Sequence, residues 1–289
     1  MQLLQKESAN SFSAAKQSTV LQDRQQVSNN LLPLFVVSSP NTNGTAMLIL
    51  TTRPTELVEP FNSELQQIGC QTFNEAMLKI VPLKWSPKRV SNASALVITS
   101  INGAKELAKI EDRHLHVPIF AVGLSTAELM INLGYRNVHY ANGTAVDLIR
   151  VICSTLSISI GPILHVGGKH ISVDIASALS LRGYNANHLA VYDAIAAASL
   201  SRKTCKLITA GEIDAIVFMS RRTAQTFCML LEQNNLVQYI NQIKAFVMSR
   251  EIGQDLTSLG WREIFVAPSA SRSALVELIQ YNMETGTSY

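Results

Sequence analysis

The chain has 289 residues, 47% apolar and 16% charged, and its 24 Lys and Arg against 21 Asp and Glu give a formal net charge of +3. At roughly 150 residues per domain, this length suggests about two domains with cores of their own and excludes fibres, short disulfide scaffolds and bulk disorder. The basic residues form no block and are not interleaved with aromatics, so nucleic acid is not the expected partner; a small anion needs only a few placed cations and backbone amides.

Residues 1–46 are rich in Gln, Ser and Asn and close with Ser38-Ser39-Pro40-Asn41-Thr42-Asn43-Gly44. They read as a disordered N-terminal tail, and Met47, at the head of the first strand, reads as an alternative translation start. The apolar run at residues 31–37 is short and broken by Pro33, unlike a secretory signal. No predominantly apolar stretch reaches the length of about 18 residues that a membrane span needs. The expectation is therefore a soluble, cytoplasmic protein with no membrane partner. Cys70, Cys153, Cys205 and Cys228 form no C-x-x-C pair and read as reduced thiols. His114 and His116 are two potential ligands without a third, so they read as loop residues and no metal is expected.

From residue 47 onward, short β-rich runs alternate with amphipathic helical stretches. A strand is expected at 47–51, then a helix at 55–68 with Leu57, Val58, Phe61, Leu65 and Ile68 on one face and Gly69 as its stop. The same pattern predicts a strand at 95–99 with a helix from about Gly103, and a strand at 119–122 with a helix at 126–133. It continues with strands at 163–166, 215–219 and 245–248, followed by helices ending near Leu181, Leu231 and Leu259. Such alternation means open parallel sheets covered by helices on both faces.

Self-comparison adds an internal duplication. Ser63, Leu65 and Gly69 lie over Ser177, Leu179 and Gly183 at an offset of 114; Ala95, Val97 and Ser100 lie over Ala215, Val217 and Ser220 at 120. Leu133, Gly134 and Arg136 lie over Leu259, Gly260 and Arg262 at 126. Three blocks in one order at nearly constant offset indicate two copies of one α/β unit, because so long a period means duplicated domains rather than a solenoid.

In open α/β sheets, ligands bind beyond the carboxyl ends of the strands, where helix N-termini offer unpaired N–H groups. Five such corners are rich in small polar and basic residues: Thr52-Arg53-Pro54, Ser100-Ile101-Asn102-Gly103, Gly123-Leu124-Ser125-Thr126, Gly167-Gly168-Lys169-His170 and Ser220-Arg221-Arg222-Thr223. The plain alternative is that Ser100, Thr126 and Ser220 cap helices. Arg221 and Arg222 oppose the dipole of the helix they open, a cost that an anion nearby would offset; the plain alternative is two solvated arginines. Gly167-Gly168-Lys169 does not satisfy the phosphate-loop pattern, no G-x-G-x-x-G follows a strand, and G-x-S-x-G is absent.

With these residues in view, the chain from residue 47 to about 280 resembles the uroporphyrinogen-III synthase family. The likeness is carried by Thr52-Arg53-Pro54, Thr99-Ser100 with Asn102, the block from Ala121 to Ala127, Val191-Tyr192 and Ser273-Ala274-Leu275-Val276. One departure stands out: where the family has a Gly-x-Thr-Thr-Ala type of turn, this chain has Ser249-Arg250-Glu251-Ile252-Gly253. Either Ser249 and Arg250 take over the missing threonine's contacts, or this corner binds more weakly or differently. Ile101 also replaces a frequent proline.

The resemblance implies two flavodoxin-like domains joined by a two-stranded hinge, with the site between them. Residues 47–82 with 195–283 would make one domain, 83–194 the other, and 284–289 a flexible C-terminus. It implies a cofactor-free and metal-free lyase that cyclises hydroxymethylbilane to uroporphyrinogen III with inversion of ring D and loss of water. Arg53, Ser100, Asn102, Gly123, Ser125, Thr126, Gly168, Lys169, Ser220, Arg221, Arg222, Ser249 and Arg250 would hold the substrate. Tyr192 would assist departure of the hydroxyl, as proton donor or by placing a water, or else be a packed hinge tyrosine. A monomer in transient contact with the upstream bilane-forming enzyme is implied as well. The rival from another class is a two-domain sensor that closes on an anionic small molecule without chemistry.

Overall fold

The structure, a computed structural model, describes residues 46–141 and 144–285. Apart from Ala46, the expected N-terminal tail lies outside the described residues. Its first strand, β1 (Leu48–Thr51), leads to α1 (Thr55–Gln67), β2 (Gln71–Asn74) and β3 (Leu78–Pro82). Next come α2 (Pro87–Ser91), β4 (Ala95–Ile98), α3 (Ile101–Leu107), β5 (Ile119–Val122), α4 (Leu124–Asn132), β6 (Val138–Ala141) and α5 (Ala145–Thr155). They are followed by β7 (Ile163–Gly168), α6 (Ile175–Ser180) and the long β8 (Ala186–Ala196). The chain ends with α7 (Arg202–Thr209), β9 (Ala215–Phe218), α8 (Arg221–Gln233), β10 (Lys244–Val247), α9 (Arg250–Leu256), β11 (Glu263–Val266) and α10 (Arg272–Thr285). Residues 284 and 285, expected to be part of a flexible end, therefore belong to a helix.

Two sheets result. One has the order β2-β1-β9-β10-β11 with every pairing parallel, and the other has the order β3-β8-β7-β4-β5-β6. In the second, β7 takes the place of β1, β8 of β2, β4 of β9, β5 of β10 and β6 of β11. Both then follow the flavodoxin-like order 2-1-3-4-5, and the chain enters the second one at its third position. The three sequence matches fall on this equivalence: α1 over α6, β4 over β9, and the turn after α4 over the turn that follows α9. The matched stops Gly69 and Gly183 have φ of 89° and 88°, a left-handed conformation that closes both helices where a side chain would be strained.

β8 belongs to both the sheet and the hinge. Its first half pairs with β7 in parallel, while its second half pairs antiparallel with β3, from Leu78 opposite Ala196 to Pro82 opposite Tyr192. The divisions expected at 82/83 and 194/195 thus fall at the edge of this hinge and inside it. The central strands are apolar on both faces because helices cover both: all four residues of β4 and of β9 are buried. Phe218, Phe227 and Trp261 pack on one face of the first sheet, and Phe61, Phe246 and Phe265 on the other. In the second sheet Leu96, Ile98 and Val166 look to one face and Val97, Phe120 and Ile163 to the other.

Candidate active site

Where a doubly wound sheet reverses its order, the loops on either side of the reversal leave in opposite directions and open a crevice at the strand ends. In the second sheet this reversal lies between β7 and β4, at Gly168 and Ser100. The Ser100 hydroxyl accepts from the Gly103 amide at 3.1 Å and is 3.0 Å from the Tyr192 hydroxyl. Ser100 is thus both the cap of α3 and a partner of the phenol, and α3 starts at Ile101, two residues earlier than expected, because this cap fixes its first turn. Gly168 lies under the Tyr192 ring: a Cβ there would stand 2.9 Å from two ring carbons and 3.1 Å from the hydroxyl. The Lys169 amide donates to the Tyr192 carbonyl at 2.8 Å. Beyond it, Lys169 Nζ and His170 Nε2 lie 3.6 and 3.5 Å from the two carboxylate oxygens of Asp193. Sequence reasoning singles out Tyr192, Ser100, Gly168 and Lys169 and misses Asp193, although it adjoins Tyr192. Asn102, half-buried, lies in the first turn of α3.

The corner after β5 departs from expectation. Thr126 does not cap α4: the cap position is Gly123, with φ of 77°, and Thr126 is 4% exposed inside the first turn. Ser125 is exposed beside it. His114 and His116 line a shallow groove with Arg113 and Pro118 at the opposite, amino-terminal ends of β4 and β5.

In the first sheet the reversal lies between β1 and β9. The Thr52 hydroxyl donates to the Val217 carbonyl at 2.8 Å, tying the two strand ends. Arg53 is half-buried and its Nη1 contacts Met219 Sδ at 3.3 Å. Burial, then the charge of Arg272, lowers the Arg53 guanidinium from its ordinary value, with Glu64 opposing. Glu64 itself accepts from Arg272 Nη2 at 2.8 Å. Arg272 and Glu64 come from α10 and α1, so only the fold brings them to this corner.

Ser220 caps α8 by accepting from Thr223. The anion that Arg221 calls for is internal. Its Nε and Nη2 donate to the two oxygens of Asp255 at 2.8 and 2.7 Å, and Gln225 donates to the same carboxylate at 3.0 Å. These hydrogen bonds hold Asp255 below the usual carboxylate range. Arg221 is therefore paired within the protein, and half-buried Arg222 stands beside it. At the divergent turn, Ser249 opens α9 without capping it. Its side chain hydrogen-bonds Glu251, the main reason that carboxylate is held below its ordinary range. Arg250 is exposed beside them. Among the described residues no group of three His, Cys, Asp or Glu could hold a metal ion, and no helix is long and apolar enough to cross a membrane.

Comparison with known proteins fits this geometry. The curated proteins give no significant match. Among solved structures, uroporphyrinogen-III synthetase from Helicobacter pylori is similar with a TM-score of 0.54 at 15% identity, over 82% of this chain and 99% of that one. A mutant uroporphyrinogen III synthase from Thermus thermophilus is similar with a TM-score of 0.54 at 16% identity, over 84% of this chain and all of that one. At such identities these likenesses speak for the fold. The family itself follows from sequence: the model of HEM4, uroporphyrinogen-III synthase HemD, matches residues 59–277, well over half of the 289. The chain belongs to the uroporphyrinogen-III synthase family, the cyclising lyases of haem biosynthesis.

Proposed function

We propose that the strand-end corners of both sheets hold hydroxymethylbilane in a folded form and that Tyr192 assists loss of its hydroxyl. The substrate carries eight carboxylates and closes without an enzyme to the uninverted isomer, so catalysis is mainly a matter of geometry. The corners after β4, β5, β9 and β10 and the Arg53 corner lie at helix N-termini whose amides can meet those carboxylates, and the β7 corner adds Lys169. Arg53, Lys169, Arg222 and Arg250 supply the charge, with Asn102, Ser125, Gly123 and Ser220 lining the corners.

The observation that carries the reading is the setting of Tyr192. Ser100 Oγ already accepts from the Gly103 amide, so its own hydrogen is available to the phenol oxygen 3.0 Å away. With Ser100 as the donor of this pair, Tyr192 keeps its own proton for the substrate. In the proposed step the phenol proton passes to the leaving hydroxyl, the C–O bond breaks, and water departs. Ser100 and the amino end of α3 stabilise the charge left on the phenol oxygen. The carbon left behind is part of an azafulvenium cation, whose pyrrole N–H proton stays in place and whose charge balances that of the phenolate; the substituted carbon of ring D attacks it to give the spiro intermediate. Steady-state kinetics of Tyr192→Phe test the assignment: kcat should fall by about tenfold or more with KM little changed. A variant at full speed would remove Tyr192 from the chemistry.

The remaining expectations belong to the same proposal: a cytoplasmic monomer that receives its substrate by transient contact with the bilane-forming enzyme. Support for the contact is chemical, because a bilane that closes by itself favours a short path between the two enzymes.

A further inference from the structure

Two imidazoles, buried His165 and half-buried His188, lie under the Tyr192 site on the other side of the sheet. His165 on β7 and His188 on β8 are paired residues of the parallel ladder, with ring centroids 5.0 Å apart. His165 is 2% exposed. Its Nε2 shares a hydrogen bond of 3.1 Å with Thr99 Oγ1, at the end of β4, while its Nδ1 is buried without a partner. His188 hydrogen-bonds the backbone of Gly168, and its Nε2 is likewise buried without a partner. Both rings close around Gly167, where a Cβ would come within 3.3 Å of His165 Nε2 and 3.5 Å of His188 Nε2. Asp174, the cap of α6, acts electrostatically on both rings, and Arg89 acts on His188.

Neither imidazole is among the groups assigned to the substrate, yet His188 grips Gly168, which lies against Tyr192, and His165 grips Thr99, the neighbour of the Ser100 that meets the phenol. Thr99 immediately precedes Ser100, and side chains of consecutive extended residues leave a sheet on opposite faces. Holding Thr99 from below therefore sets where the Ser100 hydroxyl meets the phenol above. Gly168, held by His188, is the floor under the phenol ring. A fully buried imidazole at 165 with an unsatisfied Nδ1, beside the unsatisfied buried Nε2 of half-buried His188, is costly to keep where apolar side chains would pack as well.

We propose that His165 and His188 are positioning residues for catalysis, a platform beneath the site that holds Thr99-Ser100 and Gly168 so that Tyr192 keeps its alignment with the leaving hydroxyl. This rests on the assignment of Tyr192 made above. It separates a catalytic role from packing, because packing losses would persist with Tyr192 removed whereas an alignment effect would vanish.

The experiment is a double-mutant cycle on the full chain with hydroxymethylbilane as substrate. His165→Met keeps the volume and removes the nitrogen, and Thr99→Val removes its partner. Each should lower kcat by roughly tenfold with KM within about twofold, as for a small misalignment of a reacting group. His165→Gln and Thr99→Ser, which keep the hydrogen bond, should recover kcat to within about threefold. In the Tyr192→Phe background, Thr99→Val should cost nothing further. Full kcat in His165→Met and Thr99→Val, or an undiminished loss in the Tyr192→Phe background, overturns the proposal while leaving Tyr192 in place. If His165→Met does not fold, the Thr99 cycle decides alone. Full kcat in Tyr192→Phe itself overturns both assignments.

Discussion

Gly168 and Tyr192 are fitted to each other: the phenol ring occupies the space a side chain at 168 would need, since a Cβ there would stand only 2.9 Å from its Cε2 and Cζ. Gly168→Ala must displace the ring from its present position. The core beneath is untouched, so the variant should melt within a few degrees of the parent. Displacing the phenol should lower kcat by roughly ten- to hundredfold. Kinetics and a thermal melt on one preparation check both halves, and an alanine variant of unchanged kcat would mean that the phenol's position does not matter.

The two arginines that open α8 should behave differently, although they are neighbours. Arg221 is held by Asp255 through two hydrogen bonds, so Arg221→Gln should alter KM by less than about twofold. Arg222→Gln should raise KM several-fold at low ionic strength, and added salt should shrink the difference. Asp255→Asn loosens Arg221 and should lower thermal stability slightly. Equal KM changes in the two arginine variants would contradict this division.

Arg53 is kept half-buried against Met219 and near a second guanidinium, a placement that burial and Arg272 both make unfavourable. Arg53→Met should therefore fold with stability equal to or above that of the parent while KM rises, a trade often seen at binding sites. Denaturant midpoints and initial rates report the two quantities independently, and a destabilised variant with normal KM would make Arg53 a packing residue.

Burial, with His188 adding to it and Asp174 opposing, pushes the His165 imidazole down to about 4. Unfolded, it titrates near about 6.5. Between those values the unfolded chain binds the extra proton, so this contribution to stability is full above about pH 6.5, falls as pH drops and is lost by about pH 4. The ceiling for this one group is about 3 kcal/mol. His188 is shifted in the same direction. His165→Gln should flatten the fall in the urea midpoint between about pH 7 and pH 5 relative to the parent; an identical slope in both proteins would refute it.

The parts of the fold that are legible in the sequence are those with one cause. The buried strands β1, β4, β5, β7, β9 and β10 are short apolar runs, and helix stops such as Gly69 and Gly183 are set by a local conformation. β2 escapes such reading because Gln71 to Asn74 hold one apolar residue, Phe73, and lie at a sheet edge with no fully buried residue. β8 escapes it because the strand changes partners midway, so its burial keeps no single alternation from Ala186 to Ala196. In the site, Tyr192 and Ser100 are visible through family likeness, but their hydrogen bond is not, since 92 residues separate them. Thr126 suits a cap by residue type, whereas Gly123 already supplies the turn. Arg221 looks free for substrate in the sequence because its partner Asp255 lies 34 residues on in another helix.

The most direct measurement is the isomer made from freshly generated hydroxymethylbilane. With the full chain present and no metal or nucleotide added, chromatography of the oxidised porphyrins should show type III product in place of the spontaneous type I isomer. Substitutions at the Arg222 corner of the first sheet and at the Gly168 corner of the second should each slow formation of type III and let type I accumulate. Type I alone at stoichiometric protein would contradict the claim that these strand ends fold the substrate for inversion of ring D.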